Sequence, residues 1–429
     1  MDLFNIDILE GRVSKYETNH IHMIVDGNVA LPITSMCNKD YGTFLHEYIH
    51  YLQHFTTLYG VKICAMYNKM FNLYREHILK HDPIYLPLKL WTTDEKLSDF
   101  IAHKNKIDGS RTCSHNVDEV EVNNSDIEEA RKNKTSVNIG IYDFENGKVE
   151  YKGFQFGYLC VIESMAHLIQ SFISENTYHP IIPYHSVELV CGNYCKRIAE
   201  DKKMMISICL CSLMFDNPGV AFFDVIKIAE NNQDLNGQEL YEKIMRDYSV
   251  SYKGENIPMY RVLWTFLDDL KNSLGIAIGT ELDYYNTVIE HCKEEAANGK
   301  SVLLDVLYNF DITDKTVFTE IFSNIYGYPY IEASNNTIFP TKPGDTKPTP
   351  YLETATMLGL ELIIKRLLST NSNTICGWLE ICKKGMYDES VKCPVSPECQ
   401  NNQWNKTEEC LMTNSMDYFK IKNKHYIQE

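Results

Sequence analysis

Apolar residues recur at three- and four-residue steps between Thr43 and about Leu58, where Phe44, Leu45, Tyr48, Ile49, Leu52 and Phe55 would share one face of a helix. Gly60 breaks that run, and "VKICAMYNKMFNLYREHIL" then predicts a second helix. Ahead of both, residues 1–40 alternate weakly around Gly27 and Pro32 and read as short strands or extended chain. Residues 82–136 are polar and read as a surface insertion or mobile segment. The alternating runs of "VNIGIYDFENGKVEYKGF" flank Asn146-Gly147, which predicts a β-hairpin over 137–156. The hairpin leads into an amphipathic helix, "GYLCVIESMAHLIQSFI". Residues 186–331 are mostly helical, with capped turns such as "DNPG", and the Pro-rich stretch 332–351 reads as a linker or long loop. A further helix and a cysteine-rich end fill 352–429. The expected fold is α+β and mainly helical, with a small mixed sheet and hairpin in 1–185 and a large helical portion after it.

The polar positions of the first helix carry chemistry. His46 and His50 are four residues apart, so they lie on one face about a turn from each other and can direct both imidazoles at one ion. Glu47 sits beside them, completing the HExxH arrangement of two zinc ligands and a general base. Zinc lowers the pKa of a bound water from about 15.7 to ~7, and Glu47 would take the proton and pass it to the leaving amine. The plainer reading is the solvated polar face of a surface helix. His54 extends the stripe by another turn, too far along a straight helix to join the same tetrahedron as His46, and reads as a supporting or core-edge histidine.

A catalytic zinc requires a third protein ligand and an open position. The HExxHxxGxxH pattern fails, because Gln53 and Thr56 stand where it needs glycine and histidine. The later helix "CVIESMAHLIQSF" instead offers Glu163, with Ala166 three residues on and His167 four on. HExxH followed by such a helix resembles the gluzincin branch of the HExxH zinc metallopeptidases, the zincins, over about two helices of this chain. The resemblance implies a zincin-like catalytic core, with Glu163 as third zinc ligand. It also implies that His167 hydrogen-bonds a zinc histidine, unless His167 is itself the ligand. A donor for the oxyanion is also needed, and the Pro-stiffened "NTYHPIIPYHS" supplies Tyr178, His179, Tyr184 and His185, of which Tyr184 and His185 are carried forward. The chain lacks a GxMEN motif, which turns the reading toward an endopeptidase of restricted specificity acting on a protein or peptide.

Composition narrows the alternatives. A formal net charge of -17 opposes binding to phosphate backbones, so no nucleic-acid partner is expected. The start of the chain does not read as a signal peptide, and "MMISICLCSLMF" is too short to span a bilayer, which together predict a cytoplasmic protein with no membrane partner. Fourteen cysteines then read as reduced thiols or metal ligands. Cys376, Cys382, Cys393, Cys399 and Cys410 are too widely spaced for an ordinary structural zinc site, so buried thiols are favoured there. Two other functions compete with the peptidase. One is a di-iron helical oxidase, since "EYIH" is also an ExxH, although no second ExxH is found. The other is a non-catalytic interaction protein stabilised by its metal.

Overall fold

The computed structural model describes residues 15–17, 22–88, 94–113, 117, 119–143, 150–174, 179–252, 254–278, 283–335, 337–338, 340–344 and 408–428, with isolated positions between 345 and 407. The architecture is α+β and mainly helical, with small sheets at the margins of one hydrophobic core. That core draws residues from the N-terminal region through the 186–331 region without a break.

At its centre is α1 (Asn38–Thr56), which starts ahead of its apolar repeat. Cys37 is extended, its sulfur accepts from the Asp40 amide, and Asp40 places negative charge on the first turn. Every residue from Phe44 to Thr56 is buried. Burying Phe44, Leu45, Ile49, Leu52 and Phe55 contributes about 1.5–3 kcal/mol each. The break after α1 falls at Thr57 rather than Gly60. Thr57 is extended and its hydroxyl accepts from the Gly60 amide, so α2 (Leu58–Lys80) begins at once. Gly60 lies in the first turn of α2 because the helices meet there: an added Cβ would stand 2.3 Å from the Gln53 carbonyl oxygen.

The polar 82–136 stretch carries regular structure where it is described. Its described residues form β3 (Ile84–Leu86), α3 (Glu95–Ile107), β4 (Glu119–Glu121) and α4 (Asn124–Asn133). Ile84, Leu86, Leu97, Ile101, Ile107, Val120 and Ile127 are among its apolar residues that occupy the core, and the polar majority masked that pattern. The hairpin forms as expected from β5 (Val137–Asp143) and β6 (Glu150–Phe156), in register from Val137 opposite Phe156 to Asp143 opposite Glu150. Its Asn146-Gly147 turn lies outside the described residues. Strand β4 completes a three-stranded sheet, and β6 runs directly into α5 (Tyr158–Gln170), which packs across α1.

The described residues of 186–331 are mostly helical, with a small hairpin, β7 (Ser249–Tyr252) and β8 (Glu255–Pro258), among them. "MMISICLCSLMF" falls largely in the buried helix Lys202–Ser212, which carries Cys209 and Cys211. "DNPG" caps the helix Pro218–Asn231, where the Asn217 side chain accepts from the Val220 amide and Pro218 enters the first turn. The 332–351 stretch does not start as a linker. Strand β9 (Tyr330–Ala333) lies parallel to β2 (His22–Val25), between it and β10 (Thr337–Ile338), with β1 (Lys15–Glu17) on the outer edge. Strands β1 and β2 of this sheet lie against α1. At the far end of the chain, β11 (Tyr426–Gln428) pairs in parallel with β3. Most of the helix expected after residue 351, and Cys393, lie outside the described residues.

Candidate metal centre

His46, Glu47, His50, Gln53 and His54 are 4%, 3%, 5%, 2% and 3% exposed. The reading of a solvated polar face therefore fails. Burying such groups costs several kcal/mol unless each acquires a partner or a task. The crossing of α5 over α1 supplies the partner. His46 Nε2 lies 3.4 Å from Glu163 Oε2, His50 Nε2 lies 3.2 Å from the same oxygen, and the two Nε2 atoms are 3.3 Å apart. Two ligands bound tetrahedrally at ordinary zinc distances lie roughly 3.3 Å from each other. The three atoms thus form one face of a zinc-sized tetrahedron, and two neutral imidazoles with one carboxylate are a donor set that zinc accepts. The side chain of Glu163 is 21% exposed, which leaves the site open on that side.

Gln53 sets the orientation. Its amide nitrogen donates to the Ile162 carbonyl on α5, so its oxygen accepts from His50 Nδ1 at 2.8 Å. The Nδ1 proton is thereby fixed, and when His50 is neutral the lone pair on Nε2 points into the triangle. The residue that ruled out one zinc pattern in the sequence is thus the residue that aligns the His50 ring. His46 Nδ1 is buried without a hydrogen bond, as is the Gln170 carbonyl oxygen, and the Gln170 side chain is close enough to favour a proton on His46.

Charges follow from this packing. Burial disfavours a charged His50, but Glu163, helped by Glu47, more than offsets it and raises its pKa to about 9. Burial holds His46 below the usual histidine range despite Glu163. Burial would raise Glu163, but His50 and His46 hold its carboxyl well below the usual range. The metal-free triad is therefore an ion pair, Glu163 with protonated His50, beside a neutral His46, and a cation would displace the proton on His50. Burial, reinforced by Glu163 and opposed by His50, pushes Glu47 up to about 8. Its Oε2 is buried and has no hydrogen-bond partner.

The remaining candidates separate. Ser164 Oγ donates to the Pro183 carbonyl and accepts from the Val187 amide, which seats the turn Ile181–Tyr184 on α5. Tyr184 then packs 5.8 Å from the His46 ring, and burial together with Glu163 and Glu47 keeps its phenol protonated. His185 does not join it. His185 Nδ1 lies 2.8 Å from Glu188, and the ring packs on His167. His179, passed over in favour of its neighbours, does approach, 5.2 Å from His46 and 4.2 Å from Tyr184 between ring centres; Tyr178 lies outside the described residues. His167 lies outside the His46–His50–Glu163 triangle and bonds neither of its histidines. Its Nδ1 faces His179 Nδ1 at 3.1 Å, and burial with the neighbouring His185 and His179 lowers its pKa to about 3. His54 is fully buried: it donates from Nδ1 to the His50 carbonyl, and burial lowers its pKa to about 3. Among the described residues no metal-holding group includes a cysteine. No family model, curated protein or solved structure matches the chain. No helix among the described residues is long and apolar enough to cross a membrane.

Proposed function

We propose that the chain is a zinc-dependent peptidase of restricted specificity, with His46, His50 and Glu163 holding the metal and Glu47 acting as general base. The observation that carries this reading is the near-equilateral triangle of ligand atoms, 3.2–3.4 Å on a side, with a buried carboxyl oxygen on the residue next to His46, Glu47 Oε2, that has no hydrogen-bond partner. Zinc, when bound, supplies a Lewis acid and a water of lowered pKa. Burial raises Glu47 to about 8 without metal; a cation at the triad would favour its carboxylate, the form that accepts a proton and returns it to a leaving amine. Tyr184 keeps its phenolic proton and is a donor for negative charge developing on a substrate carbonyl oxygen. Gln53 holds His50 in the tautomer that leaves Nε2 free.

The test loads the purified chain with zinc and incubates it with a mixed peptide library read by mass spectrometry. Cleavage by the wild type, lost in Glu47→Gln while zinc content is retained, supports the reading. A folded protein that takes up no zinc at the triad, or cleavage that survives Glu47→Gln unchanged, overturns it.

A further inference from the structure

The turn that carries Tyr184 gathers a second set of ligand atoms, none of them shared with the first. His167 stands one helical turn beyond Glu163 on α5, while His185 and Glu188 stand three residues apart at the start of the helix Ser186–Tyr194. Each offers a ligand atom, and all three atoms lie within 4.8 Å of one another. We propose that His167, His185 and Glu188 form a second divalent-metal site that clamps the Ile181–Tyr184 turn to α5.

The donor set is again two imidazoles and one carboxylate, which suits zinc and its first-row neighbours rather than calcium or magnesium. The chain geometry favours closure. His185 and Glu188 sit on one helical face and already meet at 2.8 Å, and the His185 ring packs 4.1 Å from the His167 ring of the other element. His179 adds a further imidazole at the rim, its Nδ1 3.1 Å from His167 Nδ1. Of that pair one nitrogen donates and the other accepts. The two sites are distinct. The His179 ring stands between them, 5.2 Å from His46 and 5.1 Å from His167. The positive charge that faces Glu188 from outside the cluster is Lys202, whose ammonium donates to Ser171 Oγ. A bound ion would tie the residue after Tyr184 to α5, and so hold Tyr184 and His179 in place beside the first centre. This clamp requires neither metal nor activity at the first site.

The experiment counts metal. Full-length chain is stripped with chelator, reloaded with zinc chloride and desalted, and zinc per chain is measured by plasma mass spectrometry, with circular dichroism to check folding. Glu188→Gln and His185→Ala are chosen because these side chains are 33% and 35% exposed and their loss leaves the core intact. Wild type is expected to hold about two zinc ions per chain, and Glu188→Gln, His185→Ala and Glu163→Gln about one each. If Glu188→Gln and His185→Ala both hold as much zinc as wild type, the second site does not exist. Loss confined to Glu163→Gln overturns the second site and leaves the first standing. Loss confined to the Glu188 and His185 variants upholds the second site and overturns the first. No zinc in any folded sample overturns both.

Discussion

Glu47 and Glu295 are two buried carboxyls linked through the same helix, and burial raises the pKa of both, to about 8 and about 7. Around Glu295 the fold completes the hydrogen bonding. The Tyr326 hydroxyl donates to Oε2 at 2.5 Å and the Val302 amide to Oε1 at 2.8 Å, and the Tyr326 carbonyl accepts in turn from Tyr51 on α1. Around Glu47 it does not: Oε2 is buried with no partner, beside three ligand atoms that point at one another. Desolvation is common to the two sites, so a raised pKa alone does not distinguish a structural acid from a chemical one. The presence or absence of partners does, because an unpaired buried oxygen is a cost that folding alone gives no reason to keep.

The largest expected difference is in catalysis. Glu47→Gln should lower peptide cleavage by about 10²–10⁴-fold with zinc retained, measured as initial rates on a cleaved library peptide. The matching Glu295→Gln variant should stay within about threefold of wild type, because it lies outside the proton-transfer path. Equal losses in both would erase the contrast.

Stability should respond with opposite signs. Glu295→Leu strands the Tyr326 hydroxyl and the Val302 amide and should cost about 3 kcal/mol or more in urea unfolding. Glu47→Leu, measured in chelator, strands no donor bonded to Oε2 and removes an unpaired acceptor. It should be neutral or stabilising by up to about 1 kcal/mol. A loss at Glu47 as large as that at Glu295 would show that Glu47 is a structural acid.

The pH dependence sharpens the same point. Both acids have folded-state pKa values above the unfolded value of 4.5. Each therefore contributes stability that is whole below about pH 4.5 and is lost as the pH rises through about 7 for Glu295 and about 8 for Glu47. For Glu295 the loss is about 3 kcal/mol at its upper bound. The stability difference between wild type and Glu295→Gln should track this window with or without zinc. The difference for Glu47→Gln should flatten when zinc is added, because a nearby cation favours the carboxylate. A zinc-independent profile at Glu47 would place the ion elsewhere.

The smallest effect concerns the ligand orienter. Gln53→Leu removes the acceptor for His50 Nδ1 and should weaken zinc binding about 10–100-fold in competition with a chromophoric chelator, while leaving the zinc count unchanged. Unaltered affinity would mean that packing alone aligns the ring.

Much of this arrangement was legible before any coordinates. The period of α1 places His46 and His50 on one face with Glu47 beside them, because a helix repeats every 3.6 residues whatever surrounds it. The hairpin over 137–156 and the Asn217 cap are likewise local, carried by turn and cap chemistry within a few residues. Glu163 could be named as a ligand only through a resemblance, since nothing local joins it to α1. Gln53, Ser164 and Gln170 gave no signal at all. Their meaning lies in the partners across the α1–α5 crossing, and a single chain shows neither partner nor crossing.

By itself, then, the sequence determined which side chains each helix would present together and that helices would dominate, because those outcomes depend on backbone periodicity and short-range bonding. The tertiary structure alone decided that the polar stripe is buried, that Glu163 closes the triangle, and that Tyr184 and His185, adjacent in the chain, serve different clusters. Those outcomes depend on how distant helices cross, which long-range packing of the shared core selects and no local pattern encodes.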